Sequence, residues 1–158
     1  MLCAFNSSEE NINIGAAGTA MRFLTAYFAS TPGHKVVLDG SERMRQRPIK
    51  ALVDALRNCG AKIEYTQNEG FPPLAIYGNN LEGGEVALPA SISSQYISAL
   101  LMVAPLMQNG LTIILEGEIT SRPYILMTLS MMSRWGVECT FEGNIIKVPH
   151  CQYSPIEF

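Results

Sequence analysis

The sequence lays out one supersecondary plan twice, and a chain whose second half must fold like its first has few architectures open to it. From Gly18 to Gly78, and again from Ser93 to Pro149, the signals follow one order: apolar helix, strand ending in an acidic residue and glycine, Arg-Pro opening a second helix, glycine, two strands. Arg47-Pro48 returns as Arg122-Pro123, Gly40 as Gly117 and Gly60 as Gly136, each about 75 residues later. Duplicated units of this kind bring equivalent helix ends, and the polar residues on them, close together.

Within the first unit, Ala20, Phe23, Leu24, Tyr27 and Phe28 form the apolar stripe of a core-facing helix over about residues 19–30, which Pro32-Gly33 stops. Lys35 to Asp39 reads as a strand. A second helix is predicted from Pro48, a residue favoured in the first turn because its missing N–H has no partner there, with Ile49, Leu52, Val53 and Leu56 facing inward. Gly60 fits its left-handed cap, and strands follow at about 61–66 and 74–77. After a linking strand at about 85–88, the second unit predicts a helix from Ser93, a strand over 111–116, a helix from Pro123, and strands at about 137–141 and 145–148. Pro105 predicts a bend or early end in its helix. The methionines Met102, Met107, Met127, Met131 and Met132 are expected to fill core space.

Right-handed crossovers would place both helices of each unit on one face of its sheet. The fold class is therefore α/β (α+β): two βαβαββ units, about 13–80 and 85–149, with helices packed on mixed sheets in a single domain over 1–158.

Composition narrows the function. With 47% hydrophobic residues among 158, the chain can bury a sizeable core. A net charge of −3 argues against a nucleic-acid footprint. The longest apolar run, Ile97 to Met107, is too short to span a bilayer and no signal peptide opens the chain, so a soluble, cytoplasmic protein is expected. Cys3, Cys59, Cys139 and Cys151 form no Cys-x-x-Cys pair, and His34 and His150 lie at no zinc-finger spacing, so no metal site and no cofactor are expected. The sequon Asn6-Ser7-Ser8 is read as chance.

Chemistry concentrates at the helix starts: Gly18-Thr19, Arg47-Pro48, Ser93-Ser94-Gln95 and Ser121-Arg122-Pro123. A helix N-terminus offers unpaired N–H groups and a partial positive charge, which suits small anions. Arg43, Arg45 and Arg47 alternate; on an extended segment they would face one way and converge on an oxyanion, whereas a solvated basic edge is the plain alternative. Any one of these caps is ordinary. Their recurrence at one register predicts a common pocket for one or more highly anionic metabolites.

The same residues resemble a known family. Gly15-Ala16-Ala17-Gly18-Thr19-Ala20-Met21-Arg22, Gly40-Ser41-Glu42-Arg43-Met44-Arg45-Gln46-Arg47-Pro48-Ile49, Leu52-Val53-Asp54-Ala55-Leu56, Ser93-Ser94-Gln95-Tyr96 with Ala99 to Leu106, and Ser121-Arg122-Pro123-Tyr124-Ile125 are similar to successive motifs of the 5-enolpyruvylshikimate-3-phosphate synthases. The resemblance implies transfer of the enolpyruvyl group of phosphoenolpyruvate to the 5-hydroxyl of shikimate 3-phosphate, in aromatic amino-acid biosynthesis, by addition and elimination without metal or organic cofactor. It implies that Ser93, Ser94, Gln95, Ser121 and Tyr124 hold shikimate 3-phosphate, and that Gly18, Thr19, Arg47 and Gln95 surround phosphoenolpyruvate. Ala16 stands where many members carry Asn and Phe23 where Pro is frequent, departures that bear on inhibitor response rather than on membership.

The family enzyme is a monomer of two domains, each of three such units, closing on its substrates. Set against that pattern, the 158 residues correspond to part of the N-terminal domain, and the acid and base residues are expected outside them. The expectation is a chain that folds, retains part of an anion site and does not turn over. Two rivals share the architecture: the sister transferase acting on UDP-N-acetylglucosamine, and a non-catalytic phosphometabolite-binding module. The Ser-Ser-Gln and Arg-Met-x-x-Arg-Pro strings favour the shikimate branch.

Overall fold

A computed structural model describes residues 11–155. Cys3 and the sequon at Asn6 lie outside the described residues. The elements run β1 (Asn11–Asn13), α1 (Gly18–Ala29), β2 (Lys35–Asp39), α2 (Lys50–Asn58), β3 (Lys62–Tyr65), β4 (Leu74–Tyr77), β5 (Gly84–Pro89), α3 (Ser94–Val103), β6 (Leu111–Glu116), α4 (Arg122–Arg134), β7 (Thr140–Glu142) and β8 (Ile145–Val148). Short 3-10 turns occupy Met44–Gln46 and Ala104–Leu106.

The two halves build two four-stranded sheets of identical topology, β1-β2-β4-β3 and β5-β6-β8-β7. In each, the first pair is parallel and joined through a helix, while the remaining pairs are antiparallel. The expected mixed-sheet α/β class is therefore the one observed.

The helices knit the halves together: α1 packs on α2 and α3, and α3 also on α2 and α4. That placement explains why α1 and α3 are apolar almost all round. Leu24, Ala26, Phe28 and Ala29 on α1, and Ile97, Leu100 and Leu101 on α3, are fully buried in one continuous core. Burial of such side chains contributes about 1.5–3 kcal/mol each, the main term holding the layers together. Gly60 and Gly136 follow α2 and α4 with φ of 97° and 83°, the left-handed backbone a helix stop requires.

Four expectations need correction. Helix α2 begins at Lys50 with Ile49 as its N-cap, so Pro48 lies before the helix and not in its first turn. Arg43 to Arg47 is no extended run: Met44–Gln46 coils into a 3-10 turn anchored by buried Met44, and only Arg47 is extended, at φ −95°, ψ 121°. Extended backbone at Arg47 follows from the clash a proline imposes on the residue before it. The strand expected from Val137 to Phe141 is shorter and later, Thr140–Glu142. Finally, Met107 and Met132 are buried, but Met102, Met127 and Met131 are 47%, 56% and 58% exposed. Helix α4 meets α3 along one stripe and leaves the rest of its apolar surface open, hence its few buried residues, Ile125 and Met132. Pro105 acts as expected: α3 ends at Val103 and the chain tightens into the 3-10 turn.

Candidate functional site

The starts of α1 and α3 meet. Gln95 on the first turn of α3 donates from Nε2 to Thr19 Oγ1 on the first turn of α1, at 3.1 Å. Beside them, Tyr96 donates its hydroxyl to the carbonyl of Pro48 at 2.6 Å. These two bonds tie both units and the Arg-Pro segment to one corner of the molecule. Each crosses a long stretch of sequence, so only the repeat packing makes them possible.

At this corner Gly18 opens α1, and Ala17 before it supplies no side-chain cap, which leaves the first-turn N–H groups without a side-chain acceptor. The absence of a Cβ at Gly18 is a steric requirement. An added Cβ would collide with the guanidinium of Arg47 and sit 2.6 Å from Arg22 Nη1. Arg47 thus lies directly over the first residue of the helix, where a partial positive charge already points outward.

A small cavity of about 280 Å³ opens here, lined by Ala16, Arg43, Met44 and Arg47. Arg45 takes no part in it, because both its Nε and Nη2 donate to the Asp39 carboxylate at 2.9 and 2.5 Å. That bond, reinforced by the Gly40 N–H, holds the Asp39 carboxyl below its usual pKa despite partial burial. Asp39 so neutralises the middle arginine and turns it away. Among the described residues, no carboxylate pairs with Arg22, Arg43 or Arg47.

On the other side of Gln95 runs a larger groove of about 780 Å³ between α3 and α4. Its polar end is Ser93, Ser94 and Gln95, and Tyr124 stands at its flank, while Phe23, Met102, Met127, Met131 and Trp135 line the remainder. Ser93 caps α3 by accepting from the Gln95 N–H at 3.4 Å, a long bond that leaves its hydroxyl available. Midway, Ser98 and Thr128 share a hydrogen bond of 2.8 Å across the two helices.

The sequence-derived set is therefore split. Gly18, Thr19, Arg47 and Gln95 come together; Ser93, Ser94, Gln95 and Tyr124 line the groove; Gln95 joins the two groups. Ser121 lines neither cavity. Its Oγ is buried at the start of α4 with no hydrogen-bond partner among the described residues and does not cap the helix. The single common pocket expected for Arg47, Ser94 and Ser121 is thus two adjoining cavities, with Ser121 set apart from both linings. Arg43, offered by the sequence only as part of the alternating string, reaches the cavity through the 3-10 turn, and Arg22, 5% exposed within α1, is absent from the sequence-derived set. A charge inside the apolar run Ala20 to Leu24 was the signal available for Arg22.

No group of three or more His, Cys, Asp or Glu side chains able to hold a metal occurs among the described residues. Nor is any described helix long and apolar enough to cross a membrane.

Residues 2–152 match the family model described as EPSP synthase (3-phosphoshikimate 1-carboxyvinyltransferase). The chain is 56% identical over 162 residues to the 3-phosphoshikimate 1-carboxyvinyltransferase of Bacteroides fragilis strain YCH46, covering 99% of this chain and 39% of that protein. With the enzyme of that name from Actinobacillus pleuropneumoniae serotype 5b (strain L20) it shares 51% over 150 residues, 92% of this chain and 35% of the relative. The chain thus spans less than half the length of these relatives. A solved EPSP synthase from Acinetobacter baumannii superposes with a TM-score of 0.79 at 23% identity, covering 94% of this chain and 32% of that one, a likeness of fold.

Proposed function

The chain belongs to the EPSP synthase family, and we propose that it forms one wall of a site that joins phosphoenolpyruvate to the 5-hydroxyl of shikimate 3-phosphate. The observation that carries this reading is the Gln95–Thr19 bond: it sets an arginine-lined anion cavity beside a serine-lined helix start. Two phosphorylated substrates that must react need two anion sites a short distance apart.

In this reading Arg47, the α1 first-turn N–H groups at Gly18 and Thr19, and Gln95 hold phosphoenolpyruvate. A planar guanidinium can accept a carboxylate or phosphate edge through two parallel bonds. Ser93, Ser94 and Gln95 hold the phosphate of the second substrate at the α3 N-terminus, with Tyr124 alongside. Ser121, whose buried hydroxyl lacks a partner, joins them once α4 adjusts.

The acceptor hydroxyl loses its proton as its oxygen bonds to C2 of phosphoenolpyruvate, and C3 gains a proton to become a methyl group. The tetrahedral adduct then loses a proton from C3 and inorganic phosphate from C2, breaking the C–O bond and forming the enol ether. This chain's groups bind and orient both partners and stabilise charge on the phosphate and carboxylate oxygens. None of its residues is assigned the proton transfers, and no metal or organic cofactor enters. The working enzyme is a cytoplasmic monomer in which a second domain of the same polypeptide closes over the wall. In an open site, contacts with water-exposed Arg47 are worth far less than in a closed one.

Amide spectra of the 158-residue chain test the assignment. Shikimate 3-phosphate should shift Ser93 to Gln95, and phosphoenolpyruvate Gly18, Thr19 and Arg47, both with weak affinity. The two together should release phosphate no faster than buffer. Shifts confined to other surfaces, or sustained turnover by this chain alone, would overturn the reading.

A further inference from the structure

Arg22 is the one arginine of the described core that is almost fully enclosed, 5% exposed, on the buried face of α1. A buried guanidinium ordinarily has a carboxylate beside it, because removing its charge from water is costly. Among the described residues Arg22 has none. Its Nη1 donates to the Gly18 carbonyl at 2.7 Å, its guanidinium carbon stands 5.4 Å from the centre of the Tyr96 ring, and its Nε is buried with no hydrogen-bond partner among the described residues.

A like charge lies close by. The point a Cβ on Gly18 would occupy falls against both Arg47 Nη1 and Arg22 Nη1, which places these nitrogens within roughly 5 Å of each other. Two cations at that distance, one of them enclosed, repel each other in the empty site. The repulsion vanishes when an oxyanion settles between Arg47 and the α1 N-terminus.

We propose that Arg22 is a positioning residue of the oxyanion site: it pins the Gly18 turn by its carbonyl and supplies an uncompensated buried charge that a phosphate or carboxylate on Arg47 relieves. Arg22 does not touch the ligand. It acts through Gly18 and through its field, which a low-dielectric surrounding carries further than water would. Tyr96 completes the device. Its ring attracts the cation and holds it in place, and its hydroxyl fastens the ring to Pro48, next to Arg47.

The inference rests on the proposed anion site, and the experiment separates the two. Inorganic phosphate and phosphoenolpyruvate are titrated into the 158-residue chain at constant ionic strength, with Kd read by calorimetry and Tm recorded alongside. Arg47→Ala should weaken both ligands tenfold or more; if it does not, the anion site itself is misplaced. Arg22→Gln keeps a donor for the Gly18 carbonyl and removes the charge. It should weaken both ligands about tenfold while leaving the ligand-free Tm equal to the parent's or higher. A Kd within twofold of the parent's reduces Arg22 to a packing role, whatever happens to Tm. Should Arg22→Gln not fold, the parent decides: the Arg22 Nε–H resonance should move with phosphate and saturate at the calorimetric Kd. A resonance that stays fixed through saturation overturns the proposal.

Discussion

Replacing Gly18 by alanine separates stability from binding more cleanly than any other single change here. The new methyl group would lie 2.6 Å from Arg22 Nη1 and closer still to Arg47 Nη1, against an ordinary contact of about 3.5 Å. Arg22 is enclosed and fixed on the Gly18 carbonyl, whereas Arg47 is exposed and makes no ion pair among the described residues, so Arg47 is the group that gives way. Gly18 has an ordinary helical φ, so alanine brings no backbone strain, and its better helix propensity contributes up to about 1 kcal/mol. Displacing Arg47 from above the helix start forfeits one charge-assisted contact to an anion, about 1.5–3 kcal/mol in an enclosed setting and nearer the lower figure on an exposed arginine. The expected outcome is a Tm within a few degrees of the parent's and a Kd for phosphoenolpyruvate raised about tenfold, read by calorimetry. Pairing Gly18→Ala with Arg47→Ala should add little further loss, since both remove one interaction. Parental affinity in Gly18→Ala, or full additivity in the double variant, would refute the apposition of Arg47 on Gly18 as the basis of the site.

Two further changes test neighbouring parts of the corner. Tyr96→Phe removes the hydroxyl that meets Pro48 at 2.6 Å but keeps the ring under Arg22; it should cost about 1 kcal/mol, roughly 2–4 °C in Tm by scanning calorimetry. An unchanged Tm would mean the bond does not join the units. Asp39→Asn addresses the decoy pair with Arg45. Because the hydrogen bond from Arg45 lowers the Asp39 pKa in the folded chain, its stabilisation is present above the ordinary carboxyl range and disappears as pH falls through the lowered value. The variant should be the less stable protein at pH 7, and the two unfolding curves should approach each other only as pH falls below the ordinary carboxyl range towards the lowered value. A difference that persists unchanged in acid would assign the effect to something other than the ionised carboxylate.

Much of the fold could be read from periodicity. β2, β4, β6 and β8 have the predicted bounds, because alternating or continuous apolar residues between turn signals leave little choice of register. The helix starting with Ser94 was equally plain from its serine cap and apolar stripe. What periodicity cannot supply is which faces find a partner. The methionines of α4 carry the signature of a core helix, and only the packing shows that α3 covers one stripe and leaves Met127 and Met131 open. Pairing between distant halves was likewise invisible. Nothing local to Gln95 specifies Thr19, and nothing local to Tyr96 specifies Pro48; both contacts follow from the way the repeats stack.

The arginine string shows how a local rule can reach a site through the wrong geometry. Alternation predicts that Arg43, Arg45 and Arg47 share a face only if the segment is extended. Buried Met44 and the 3-10 turn instead wind the chain, so residues four apart approach each other and the one between points away. Arg43 and Arg47 accordingly share the cavity, and Arg45 is claimed by Asp39. The charge that the sequence offered as a third ligand is spent on fixing the turn, and the third positive group comes from Arg22, on another helix and inside the core. The proposed anion site thus depends on the acidic residue that neutralises one arginine as much as on the arginines that no described carboxylate pairs.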